Sequence, residues 1–111
     1  MAARQPYGVE INTADGVFIK QMVIPDHGTI VPQHSHQWDH TSMVASGSVA
    51  VWKGREFLGI FEAPTGIFIK AGIKHTFQSL EDNTIIYCIH NLHGEQAVRV
   101  LEEHDLLEEV S

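Results

Sequence analysis

The most constraining feature of this chain is its punctuation. Short runs rich in β-branched and aromatic residues are cut by Gly and Pro at intervals of roughly 8–12 residues, the rhythm of a β-sandwich or barrel. Gly16 to Ile24 is one such run, closed by Pro25-Asp26-His27-Gly28. Ser48 to Trp52 precedes the turn Lys53-Gly54, and Phe57 to Phe61 runs to Ala63-Pro64-Thr65-Gly66. Ile67 to Ile69 leads into Ala71-Gly72, and Thr84 to His90 is the last strong strand. Gly and Pro are spread evenly, so the sequence predicts a single all-β domain over residues 1–111 with no linker. The stretch from Gly94 to Val110 breaks the pattern. A helix presenting Ala97, Val100, Leu101 and Leu107 fits it, and so does a short strand over Val98 to Leu101. Its carboxylates read as a solvated face.

Charge excludes two classes of partner. Seven Lys and Arg against 14 Asp and Glu give a formal net charge of −7. Phosphate contacts need clustered cations, so neither a nucleic acid nor an anionic membrane is an expected partner. The single Cys88 permits no internal disulfide. The first ten residues carry one Arg and no apolar run of signal-peptide length, and no segment approaches a membrane span. A cytoplasmic protein is the expectation.

Histidine is the unusual residue, with eight in 111 positions. His34 and His36 flank Ser35, and residues i and i+2 of a strand share one face. Two imidazoles so placed can converge on one ion. A bend at Trp38-Asp39 returns His40 on a neighbouring strand, and His75, on the turn after Ala71-Gly72, is positioned to close the site from a distance. A histidine pair of this kind also occurs as hydrogen-bonded structural residues, so spacing alone leaves both readings open.

The segment from Gly28 to Gly47, GTIVPQHSHQWDHTSMVASG, resembles the first motif of the cupins. Gly28, His34, His36 and Gly47 fall on motif positions with the spacing intact, whereas His40 stands where the family has Glu. A second cupin motif is partly present: Gly72 and His75 match, but Pro64, Lys70 and Ser79 replace its Gly, Pro and Asn. The resemblance implies an antiparallel jelly-roll β-barrel with one metal ion inside, held by His34, His36, His40 and His75. It also implies a homodimer paired through edge strands.

Four imidazoles carry no charge, unlike three imidazoles and a carboxylate. A divalent ion would therefore keep its full charge, its trivalent state would be less well compensated, and an anionic ligand would be drawn to open positions. Imidazole suits Fe, Mn, Ni, Cu or Zn, and the sequence does not choose among them. An octahedral ion would keep two positions open, whereas tetrahedral Zn would be closed and structural. Each imidazole must be neutral to ligate, so affinity should fall as pH drops through about 6.5.

Strand parity assigns the remaining positions. Ser42 and Val44 share the face of His40, Trp52 continues that parity, and Phe77 shares the face of His75. These four are the expected walls of a small-molecule pocket, with core or rim packing as the competing role for Trp52 and Phe77. Tyr87 and His90 are the acid/base candidates, and their opposite parity lets at most one face the pocket. His27, His93 and His104 have no ligand spacing and are expected at the surface, as is His90 unless it serves the site. Asp39 either orients a ligand imidazole or caps the bend. Two functional classes follow. One is a metal-dependent enzyme acting on an anionic or enolisable small molecule, with dioxygenase, isomerase or lyase chemistry implied by the resemblance. The other is a non-catalytic module that the metal stabilises or that binds a ligand.

Overall fold

A computed structural model describes residues 8–14, 16–32 and 39–92, together with the single positions 97 and 100. Nine strands occur among the described residues: β1 (Gly8–Ala14), β2 (Val17–Ile24), β3 (Ile30–Pro32), β4 (His40–Ser46), β5 (Ser48–Lys53), β6 (Glu56–Glu62), β7 (Thr65–Ile69), β8 (His75–Ser79) and β9 (Thr84–Asn91). They form a five-stranded sheet in the order β1-β2-β9-β4-β7 and a four-stranded sheet in the order β3-β8-β5-β6. Every pairing is antiparallel. The all-β expectation is met, and the chain's apolar runs become β2, β5, β6, β7 and β9. Ala97 and Val100 are helical, and Val100 is fully buried.

Alternation gives β2, β4, β7, β8 and β9 one core face each. In β9, Thr84, Ile86, Cys88 and His90 are buried while the residues between them are half-buried. β4 buries His40, Ser42 and Val44, and β8 buries His75, Phe77 and Ser79. The core draws Met22, Ile24, Val44, Ile67, Ile69, Ile86 and Cys88 from the larger sheet, and Val31, Val49, Val51 and Phe77 from the smaller. Each such side chain contributes roughly 1.5–3 kcal/mol when fully buried.

The two ends of the sheets are tied differently. At one end Ser79, fully buried, stitches the turn after β2 to the end of β8. Its Oγ donates to the Asp26 carbonyl at 2.8 Å and accepts the Thr29 N–H at 3.0 Å. The Gly28 and Asn83 N–H groups add bonds to the Ser79 and Pro25 carbonyls. Ser79, which replaces the Asn of the second motif, is thus a structural latch. At the other end the Asp39 carboxylate, just before β4, accepts the Ala71 N–H at 2.7 Å. That bond fixes the β7–β8 turn against the start of β4. Asp39 therefore holds a turn 32 residues away in the sequence rather than capping its own bend.

Parity is not conserved along the chain from β4 to β5. The β4–β9 register shifts between Val44 and Ser46, and Gly47 then hands the chain to the other sheet. The inward positions of β5 become Val49 and Val51, which belong to the core. Trp52, expected to face the pocket, points to the outer face of the four-stranded sheet. It is half-buried there, its ring 5.4 Å from that of exposed Phe57.

Candidate metal centre

His40 opens β4 opposite Ile69 of β7, and the site is built outward from it. One step beyond the Thr41–Ile89 pair, its side chain meets His90 on β9, and His90 in turn pairs with Phe18 of β2. Ile69, His40, His90 and Phe18 thus form one inward-facing row across four strands. The His40 and His90 rings are stacked, with centroids 4.5 Å apart and planes 21° from parallel. Phe18 abuts His90 edge-on, at 5.4 Å and 70°. His40 and His90 are 5 % and 2 % exposed, and Phe18 is fully buried.

His75 opens β8 on the facing sheet, opposite Lys53, and is 4 % exposed. Its Nδ1 lies 3.2 Å from the Ile73 carbonyl. A carbonyl only accepts, so this bond requires the proton on Nδ1 and, in the neutral ring, leaves the lone pair on Nε2. A backbone carbonyl fixing one nitrogen so that the other can ligate is the usual support of a metal-binding histidine. The turn carrying Ile73 is itself held by the Ala71–Asp39 bond and by an Ile73 N–H to Lys70 carbonyl bond of 3.3 Å.

Two of the four sequence-assigned ligands are therefore buried imidazoles projecting inward from opposite sheets at the end that Asp39 ties together. Their donor chemistry fits a divalent transition ion. His34 and His36 lie outside the described residues, and among those described no group of three or more His, Cys, Asp or Glu could hold a metal. The assignment of all four thus stays an expectation.

The other expected site residues separate. Ser42, Val44 and Phe77 point inward as parity requires, but each is fully buried, and Val44 and Phe77 belong to the core cluster. Ser42 Oγ lies 3.6 Å from Cys88 Sγ in a buried contact. A cavity of about 340 Å³ opens at the end of the five-stranded sheet, lined by Gly16, Val17, Asp39, His40, Thr41, Phe68, Ile89, His90 and Asn91. None of the four expected wall residues lines it. Tyr87 is half-buried on the face of β9 opposite the core, paired with Gln21 and Met43. As an acid/base beside an interior metal it is misplaced.

His90, expected at the surface unless it serves the site, is among the most deeply buried side chains described. The signal was its parity with Ile86 and Cys88. His27 is at the surface as expected, 72 % exposed in its side chain, with its Nδ1 2.7 Å from Asp82 Oδ1. That hydrogen bond raises the imidazole pKa above its ordinary value. The His27 N–H first, and its ring second, hold the Asp82 carboxyl below its own. His93 and His104 lie outside the described residues.

No protein-family model and no curated protein matches the chain. Solved structures do. KdgF from Halomonas sp. is similar with a TM-score of 0.70 at 13 % identity, over 87 % of this chain and 90 % of that one. An RmlC-like cupin family protein from Methanocaldococcus jannaschii, described as a double-stranded β-helix, gives 0.64 at 15 % identity, over 77 % and 79 %. A cupin-2 domain containing protein from Shewanella frigidimarina gives 0.59 at 14 % identity, over 80 % and 84 %. What such distant sequences share is architecture: this chain has the double-stranded β-helix fold of these proteins.

Proposed function

We propose that this chain binds a single divalent transition-metal ion through His34, His36, His40 and His75, and is an enzyme acting on a small anionic or enolisable molecule. The observation that carries the reading is the pair of buried imidazoles on facing sheets, with the Nδ1 of His75 committed to a backbone carbonyl. Bound there, the ion would supply Lewis acidity and, with no carboxylate among its ligands, attraction for an anionic group.

The protein's own contribution is positioning and exclusion of water. The Ile73 carbonyl sets the plane of His75, and Asp39 holds the turn that delivers it. Core side chains Val44, Ile69 and Phe77 exclude water on the inner side. The cavity reaches the ends of the strands that carry His40 and His90, but its Thr41, Phe68, Ile89 and Asn91 belong to the face of the five-stranded sheet opposite the core.

The test is metal content by elemental analysis of the full chain, stripped with chelator and reloaded with each candidate ion. One equivalent is expected in the wild type, weaker binding in His40→Ala, and none in the His34→Ala/His36→Ala double variant. Full retention in the double variant overturns the ligand assignment. Coordination then separates the two functional classes. Two exchangeable water positions support the enzyme, whereas a closed four-coordinate zinc supports the non-catalytic module.

A further inference from the structure

We infer that His90 is a positioning residue that fixes the ring plane of His40 by stacking on it. The inference rests on the reading of His40 as a ligand. A ligand imidazole must aim its lone pair, which lies in the ring plane, at the ion, and rotation about χ2 of histidine is soft. Something has to hold that plane. For His75 it is the hydrogen bond to Ile73. For His40 it is a ring face: His90 lies 4.5 Å away and 21° from parallel, so rotation of His40 out of its plane would drive its edge into the neighbour.

His90 can serve as a wall because it is itself immobilised. Phe18 meets it edge-on from β2, at 5.4 Å and 70°. The backbone supports the same row, since Phe18 pairs with His90 across β2 and β9. Depth adds to this, with His90 only 2 % exposed. The aromatic relay Phe18–His90–His40 thus runs across three adjacent strands and ends on the ligand. What the stack uses at position 90 is a planar ring face.

The experiment compares His90→Phe, which keeps a ring, with His90→Leu, which does not. Phe18→Leu releases His90 without replacing it. Each full-length variant is titrated with Co(II), following affinity and the visible d–d band, and the ring order of His40 is measured by ¹³C relaxation in the metal-free protein. His90→Phe should keep the band and bind within about threefold of wild type. His90→Leu should weaken binding by about ten- to hundredfold, shift the band and loosen the His40 ring, as expected for loss of a ligand's outer support. Phe18→Leu should move in the same direction by less, and it decides the matter if His90→Leu fails to fold. Wild-type behaviour in the Leu variants overturns the inference, as does a His90→Phe variant as impaired as His90→Leu. If wild-type protein binds no Co(II), the metal reading fails separately. Ring order in the metal-free protein then decides whether His90 holds His40.

Discussion

Gly47, the last glycine of the first motif, should be costlier to replace than Gly28 or Gly72. The structure supplies its own controls. Gly28, Gly47 and Gly72 share almost the same backbone conformation, with φ of +79°, +78° and +78°. A Cβ added at Gly28 or Gly72 meets nothing within 4 Å. At Gly47 it would collide with Thr84, reaching its Oγ1 and coming within 3.1 Å of its Cα and Cβ. Thr84 cannot give way easily. It is fully buried, its Oγ1 donates to the Glu81 carbonyl at 2.9 Å, and the Cα is backbone. Gly47 is pinned too, because its carbonyl accepts the Ala63 N–H at 2.9 Å.

Alanine at Gly28 or Gly72 should therefore cost only the left-handed penalty of about 1–2 kcal/mol. A gain of about 0.4–1 kcal/mol from the stiffer unfolded chain offsets part of it. Alanine at Gly47 adds an overpacking cost of about 1–3 kcal/mol. The unfolded-state gain is common to all three and drops out of the comparison. With a urea slope of about 1–3 kcal/mol per molar, the Gly47→Ala midpoint should fall on the order of 1 M below the other two. Equal midpoints for the three variants would refute the steric argument. Co(II) affinity of folded Gly47→Ala should match wild type, because Gly47 follows β4 at the end away from His40.

Three further substitutions test the ties at the ends of the sheets. Ser79→Ala removes a buried hydroxyl that bonds both Asp26 and Thr29, and should lower stability by about 1–3 kcal/mol in urea denaturation. Asp39→Ala should cost about 1 kcal/mol, speed hydrogen exchange at the Ala71 amide and weaken metal binding through the turn that carries His75. Asp82→Asn keeps an acceptor for the His27 N–H but removes the charge beside the ring. The raised imidazole pKa gives a contribution fully present below the unfolded histidine value of about 6.5 and lost as pH rises through the folded one. The depressed carboxyl pKa gives one fully present above the unfolded value of about 3.9 and lost as pH falls through the folded one. The wild-type advantage over Asp82→Asn should hence be larger at pH 5 than at pH 8.5, and a pH-independent gap would count against the pair.

What could be read from the sequence, and what could not, divides along a physical line. Apolar runs bounded by turns were legible because a strand buried on a core face must be apolar at every second position. Two of the four edge strands, β1 and β3, were not. β1 is GVEINTA, largely exposed and paired only with β2, while β3 is three residues ending in Pro32, so neither needs such a pattern. Parity within a strand was equally legible: His40, Ser42 and Val44 face inward together, as do His75 and Phe77. Parity across a sheet change was not, because the register shift after Val44 inserts one residue that no local signal announces, and Trp52 changes face. His90 shows the deepest limit. Its burial follows from alternation with Ile86 and Cys88, but its partners, Phe18 72 residues earlier and His40 50 residues earlier, are set by strand order. Ligand spacing is local information, whereas the support of a ligand is tertiary. The last strand could therefore mark His90 as a candidate, but which ring it supports is set by strands far away in the sequence.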